Sequence, residues 1–405
     1  MQPVDRQRRR KAPVGNLAGT NLERAGDYNQ RVTLQAIRVN GPITRVDLAR
    51  LTGLTTPAIA NITNRLMSEN LIVEVGRLHG RRGQPAMQLA INPDGCFSIG
   101  INIDRDHVTV VALDFTGNVR ARATQEIDFA LPDQVVAFSR KAIETMLKGK
   151  QVPRDRIIGI GIALPDDLGR VSLPHRPSSY GVWNTVDVTR LFAHVLPVPV
   201  FVENDATAAA IGELQFGHGL RSPSFFYILI SAALGGALVI EGNVFRGADG
   251  RSGEIGFLPL RSRRTDARSL QEVVSLSALY QLLAEGGHKV SRPDQLESLK
   301  ESGQAIVSDW LDASADFLTD PLIAVSCLVN PKAVFIGGRL PAELVDRLAE
   351  RLNQRLRKRA GDVPAIAPVL RAAMASDAPA IGAAILPLND RLLPSRSALM
   401  KTAIE

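Results

Sequence analysis

A chain of 405 residues with 45% apolar content is long enough for two or three domains with substantial cores. Its two cysteines, Cys96 and Cys327, are too few for a disulfide framework and fit a reducing, cytoplasmic setting. No apolar run opens the chain as a signal peptide does, and none reaches the ~18 residues of a membrane span, so a membrane partner is not expected. The net charge of +7 is uneven: residues 1–90 hold 14 basic and 6 acidic residues, and the remainder is close to neutral. A basic excess confined to the first quarter is the electrostatic footprint of nucleic-acid binding, although a solvated tail would also account for the five charges from Arg6 to Lys11.

Residues 1–26 are polar and rich in Gly and Arg, and read as a flexible basic arm. Residues 27–94 then read as one DNA-binding domain. Val32, Leu34, Ile37 and Val39 recur at helical spacing over Asn29–Val39, and Gly41-Pro42 ends that helix. Thr44 is placed to cap a second helix carrying Val46, Leu48, Ala49 and Leu51; Gly53 supplies the turn. A third helix opens at Thr55-Thr56-Pro57, where Thr suits the N-cap and Pro the first turn, and continues through Ile59, Ile62, Leu66 and Met67. Two short helices joined through a Gly turn make a helix-turn-helix. Leu71–Val75 and Ala86–Ile91 read as strands flanking "GRLHGRRGQP", a wing. A third helix of this kind fits the major groove, with its first residues nearest the base edges. The residues expected to meet double-stranded DNA are therefore Arg45, Thr55, Thr56, Ala58, Asn61 and Arg65, with Arg77, Arg81 and Arg82 reaching from the wing to the backbone or minor groove. A three-helix module for protein contacts is the alternative.

Residues 95–405 alternate strands and helices, an α/β pattern. Phe97–Ile103, Val108–Leu113 and Val119–Ile127 read as antiparallel strands, Leu131–Leu147 as a helix and Ile157–Leu164 as a buried strand. Phe201–Ala210 is a strand-to-helix unit. Phe225–Ser231 and Ala237–Ile240 are strands, Ala305–Val329 a long helix, Ala333–Ile336 a strand and Ala378–Leu388 a closing helix. Two β-rich beginnings followed by helices predict two lobes with a ligand cleft between them.

The ordered set "GPITRVDLARLTGLTTPAIANITNRLMSENLIVEVG", "FVENDATAAAIGELQFGHG", "GNVFRGADGRSGEIGF" and "PKAVFIGGRLP" resembles the ROK family of sugar kinases and sugar-responsive repressors, over about residues 28–390. The resemblance implies a winged helix-turn-helix joined to an actin-like, two-lobed sugar-kinase fold, and a cytoplasmic homodimer or homotetramer. It also implies sugar-hydroxyl ligands at Asn204, Asp205 and Glu254, with Asp205 at the catalytic-base position, and Glu203 beside them is expected to complete the sugar-binding set. Side-chain carboxylates and amides suit paired bonds to vicinal hydroxyls; read alone, Asn204-Asp205 equally suits a plain helix cap.

The same resemblance exposes departures. Active kinases of the family carry Asp-x-Gly-Gly-Thr-Lys where this chain has Asn102, Ile103, Asp104, Arg105, Asp106 and His107, so both phosphate-approaching glycines are lost and two acidic residues are added. Their second glycine loop is here "SAALGGA", from Ser231 to Ala237; Gly337-Gly338 alone resembles the adenosine-side turn. The zinc-site His is Phe257 and the zinc loop has no cysteine. The expectation is thus no ATP, no zinc and no enzyme activity: a DNA-binding regulator, a repressor of carbohydrate genes, with a sugar or sugar-phosphate effector in a catalytically dead cleft and a palindromic operator as partner. An active kinase with a DNA-binding appendage, and a regulator whose large domain only oligomerises or docks a protein, are the alternatives. Gln271 stands at another altered sugar contact, Trp183 is either a sugar-entrance residue or structural, and His175 and the run Arg261, Arg263, Arg264 read as surface.

Overall fold

The computed structural model describes residues 22–78, 86–149, 151–170, 176–260, 266–374 and 377–394. They form two compact units: one up to Asn92 together with the residues from Asn389 onward, the other Pro93–Leu388. The sequence reading had assigned 95–405 to a single domain.

The first unit begins with helix α1 (Leu22–Asn40), so residues 22–26, read as arm, are helical. Leu22, Glu23, Arg24 and Ala25 are good helix formers, and one Gly at position 26 costs only about 1 kcal/mol. A short β1 (Ile43–Thr44) leads into α2 (Arg45–Thr52) and α3 (Thr56–Ser68). Thr44 caps α2 by accepting from the Asp47 N–H, and Thr55 caps α3 by accepting from the Ala58 N–H. Gly53 sits at φ 72°, the left-handed conformation that lets α2 end and the chain reverse. The wing strands β2 (Ile72–Leu78) and β3 (Ala86–Ile91) pair antiparallel, and β1 adds to the free edge of β3. Leu34, Ile37, Leu48, Ile59, Leu66 and Leu89 make the core. Arg31 of α1 donates to the Asp390 carbonyl at 2.7 Å, a bond within this unit.

The second unit holds two five-stranded sheets. The first contains β4 (Phe97–Ile103), β5 (His107–Asp114), β6 (Val119–Glu126), β7 (Ile157–Leu164) and β8 (Val200–Asn204), with α4 (Pro132–Lys148) and α5 (Val188–Phe192) in its connections. α6 (Asp205–Phe216) follows β8 directly. The second sheet contains β9 (Phe225–Ile230), β10 (Leu234–Ile240), β11 (Asn243–Phe245), β12 (Ala333–Gly338) and β13 (Val369–Arg371). Its connections carry α7 (Leu276–Glu285), α8 (Glu301–Val329) and α9 (Ala342–Lys358), and α10 (Ala378–Arg391) follows. The orders are β6-β5-β4-β7-β8 and β11-β10-β9-β12-β13, so each sheet is a meander of three strands extended by two parallel ones. Strands β4, β5 and β9 are buried throughout, as unbroken apolar runs such as "FFYILI" require.

Small residues let α10 press onto the first sheet and onto α6. A Cβ on Gly161 would lie 1.8 Å from the Ala383 carbonyl oxygen, and one on Gly382 would lie 1.6 Å from that of Ala208. On the outside of the second sheet, Asp312, Asp316 and Asp320 of α8 face Arg351, Arg355 and Arg359 of α9 in a ladder repeating every four residues, with pairs at 2.6–3.3 Å. Among the described residues no helix is long and apolar enough to cross a membrane.

Candidate functional site

On α3, Ile59, Thr63 and Leu66 point into the core while Thr55, Thr56, Asn61 and Arg65 are exposed and Ala58 is half-buried. Arg65 Nε donates to Glu69 Oε1 at 2.9 Å, one turn along. Arg45, expected at the DNA face, instead braces the unit: its Nε donates to Thr63 Oγ1 at 3.0 Å and its Nη2 lies 3.5 Å from Glu74 Oε1. The half-buried position of Arg45 at the start of α2 brings α3 and β2 within its reach. Arg77 is exposed on β2; Arg81 and Arg82 lie outside the described residues, as do His175, Arg261, Arg263 and Arg264.

In the second unit, residues from both sheets line one small cavity. Asn204 and Asp205 enter from the β8–α6 junction, Arg105 from the β4–β5 turn and Asp166 and Asp167 from the end of β7; Ser231, Gly235, Arg251, Glu254, Phe257 and Gln271 face them. Asn204 is the N-cap of α6 and its Oδ1 accepts from the Thr207 N–H at 3.0 Å, so the capping role is realised by a residue that also lines the cavity. Asp205 is buried and its Oδ1 accepts from the Ala206 N–H at 2.8 Å. Burial, with the charge of Asp104 added, pushes its carboxyl up to about 7 against the pull of Arg105 and the Ala206 N–H. Burial and the charge of Glu254 likewise raise Asp166.

Glu203 is not among the lining residues. Alternate strand residues face opposite ways, and both of its carboxylate oxygens are taken by Arg246, at 3.1 and 2.5 Å. Glu254 does line the cavity, and Arg251 spans it: Nη2 reaches Asp167 Oδ2 at 2.6 Å and Glu254 Oε1 at 3.0 Å. These carboxylate bonds hold the Arg251 guanidinium above its ordinary pKa. Trp183 is structural: it is buried and donates its indole N–H to the Ala130 carbonyl at 2.9 Å.

The β4–β5 turn is packed with paired charge. Asp104 Oδ1 accepts from the Arg105 backbone N–H at 2.8 Å and from Arg105 Nη1 at 3.3 Å, and all of these groups are buried. Asp106 meets His107 Nδ1 at 2.6 Å and Arg339 Nη1 at 2.8 Å, while Arg339 Nη2 reaches Glu126 at 2.5 Å. Burial raises Asp106, but the hydrogen bond from His107 and the charges of His107 and Arg339 outweigh it and hold the carboxyl at about 2. Arg339 follows Gly337-Gly338, so a guanidinium from the second sheet ties down the turn of the first. A phosphate entering here meets two carboxylates and must detach two guanidinium groups from their partners. Asp104, Asp106 and His107 place ligand-type atoms within 4.8 Å of one another, but Arg105, Arg339 and Asn102 already engage them, a poor donor set for a cation. Phe257 offers no ligand atom where the zinc-site His would stand, so a zinc ion of that kind does not fit either.

Sequence reasoning does not single out Arg105 and Arg251, which line the cavity, or Arg246 and Arg339, which hold charged groups beside it. Arg105 and Arg251 each have a carboxylate within three positions, Asp104 and Glu254, so nothing local marks them out, while Arg246 and Arg339 find their partners far along the chain.

A family model described as "ROK family" matches residues 98–389, and one described as "Winged helix-turn-helix DNA-binding" matches residues 27–73. The chain is similar to the uncharacterized protein y4fQ of Sinorhizobium fredii, with 27% identity over 363 residues, 89% of this chain and 90% of that one. It is also similar to the xylose repressor of Bacillus spizizenii, 29% identical over 233 residues, 57% of this chain and 60% of the repressor. Among solved structures, the ROK family transcriptional regulator described as a homolog of the E. coli MLC protein shares the fold, with a TM-score of 0.66, 23% identity, and coverage of 91% of this chain and 98% of that one.

Proposed function

Because the chain belongs to the ROK family, we propose that it is a DNA-binding transcriptional regulator, a repressor, that senses a carbohydrate in a cleft without phosphorylating it. The observation that carries this reading is one chain holding both an exposed recognition helix and a kinase-like cleft whose first turn is occupied by paired charges. Thr55, Thr56, Asn61 and Arg65 face the major groove, and Arg77 on β2 reaches the backbone or minor groove. The chain acts as a homo-oligomer on a palindromic operator, since half-sites on one face of DNA lie ~34–36 Å apart. Asn204, Asp205 and Glu254 hold the sugar hydroxyls, and Arg251 swings off Glu254 to admit the ring. Neither ATP nor zinc takes part. The sugar acts by binding one conformation better than the other.

The test is a gel shift with the DNA upstream of the protein's own gene, titrated with sugars; the relatives named xylose repressors make xylose the first to try. Release of DNA by a sugar in the wild type, lost in Asp205→Ala with DNA affinity retained, is the expected result. DNA binding indifferent to every sugar and sugar phosphate ends the sensor reading. ATP-coupled phosphorylation of a sugar, abolished by Asp205→Asn, would replace it with an active kinase.

A further inference from the structure

A second, larger cavity adjoins the first. It is lined by Arg268, Glu272, Ser275, Ser277, Ala278 and Gln281, and it shares Asp167, Ala233, Arg251, Phe257 and Gln271 with the inner one. The inner cavity measures about 40 Å³ while Arg251 bridges Asp167 and Glu254 across it, room for a few waters in that arrangement. The outer measures about 810 Å³, within the ~300–1,000 Å³ typical of small-molecule sites. Phe257 stands at the junction and is 49% exposed, although its neighbours Ile255 and Gly256 are buried. An aromatic ring left half in water, bordered by amide, hydroxyl, carboxylate and guanidinium groups, has the makeup of a sugar platform. The C–H face of a pyranose covers the ring while its rim of hydroxyls bonds to the polar border. Around Phe257 that border is Gln271 on the inner side and Gln281, Ser277 and Glu272 on the outer side.

We propose that the effector is a saccharide of at least two rings: one ring in the inner cavity with Asn204, Asp205 and Glu254, the next on Phe257 in the outer groove. This rests on the reading of the cleft as a carbohydrate sensor and adds a subsite to it. Arg251 lies at the boundary with its side chain bridging Asp167 and Glu254, so one displacement of that side chain joins the two cavities into a single channel.

The test is isothermal titration of the full chain with matched pairs: xylose and xylobiose, glucose and cellobiose, N-acetylglucosamine and N,N′-diacetylchitobiose. The expected result is at least one disaccharide binding 30-fold or more tightly than its monosaccharide. Phe257→Ala should reduce that ratio below threefold. So should Ala278→Trp, which fills the outer groove from α7 and serves as the second variant should Phe257→Ala fold poorly. Equal affinity for both members of every pair overturns the proposal and leaves the sensor reading intact. A ratio that survives both substitutions also overturns it. If no saccharide of either length binds the wild type, the sensor reading and this proposal fall together.

Discussion

The two sheets of the large unit share one strand order, yet the turns joining their first two strands are built in opposite ways. Between β4 and β5, Asp104, Arg105, Asp106 and His107 are packed against one another and against Arg339, with the charges matched inside the protein. Between β9 and β10, Ser231, Ala232 and Ala233 carry no charge. That turn is held through its backbone: the Ser231 carbonyl accepts from the Leu276 N–H at 2.9 Å and the Ala232 carbonyl from Ser277 Oγ at 2.6 Å, both at the start of α7. One topology thus packs one turn with paired side chains and leaves the other without them. The strand order alone says nothing about which turn will accept a ligand.

Breaking the charged turn should have the largest effect. Arg339→Ala leaves Asp106 and Glu126 without their shared partner, and should cost about 3–5 kcal/mol in urea unfolding. Asp106 is depressed to about 2, so its contribution is present above about pH 4 and lost as pH falls toward 2. The variant should therefore show a weaker loss of stability across that acid window. Asp205 behaves with the opposite sign. Its folded pKa is raised to about 7, so the unfolded chain binds fewer protons between pH 4 and 7 and this group's contribution to stability falls as pH rises through that window. Asp205→Asn should be more stable than wild type at pH 8, on the order of 2 kcal/mol, with the gain gone near pH 4. Melting curves at the two pH values check it; a gain that is the same at both refutes the raised pKa.

The uncharged turn calls for a steric probe. A Cβ on Gly236, just inside β10, would lie 2.6 Å from the Gly253 carbonyl oxygen and 2.9 Å from the Phe226 ring. Gly236→Ala should cost about 1–2 kcal/mol and weaken saccharide binding, since Gly236 and Gly250 both line the inner cavity. A control lies in the other unit. Arg65→Gln removes an exposed pair and should change stability by no more than about 0.5 kcal/mol. Affinity for operator DNA should still fall, by about 1 kcal/mol or roughly fivefold in a gel shift.

Much of this architecture can be read from the sequence where local rules suffice. The caps Thr44 and Thr55, the strand Ile157–Leu164 and the junction at Asn204-Asp205 all follow from neighbours a few residues away. Helix α9 was equally legible, with Leu344, Leu348, Leu352 and Leu356 at four-residue intervals, although the chain-order reading passes over it. The guanidinium bridges are another matter. Arg339 pairs with Asp106 across 233 positions and Arg251 with Asp167 across 84. No periodicity or composition reports such pairs, because only the folded sheets bring them within reach. Glu203 shows the same limit in reverse: the motif groups it with Asn204 and Asp205, whereas strand alternation and Arg246 turn it away.

The aspartate–arginine ladder between α8 and α9 has one further consequence. Its rungs repeat every four residues on both helices, so sliding one helix past the other by about 6 Å, four residues at ~1.5 Å each, would re-form every pair but the last. Arg355 already touches both Asp312 and Asp316, half-way between two such settings. The ladder therefore keeps the two helices parallel without choosing their offset. That choice falls to the apolar core the two helices share, where Leu311, Ala315, Leu318 and Leu322 of α8 do not keep the strict four-residue spacing of Leu344, Leu348, Leu352 and Leu356 on α9.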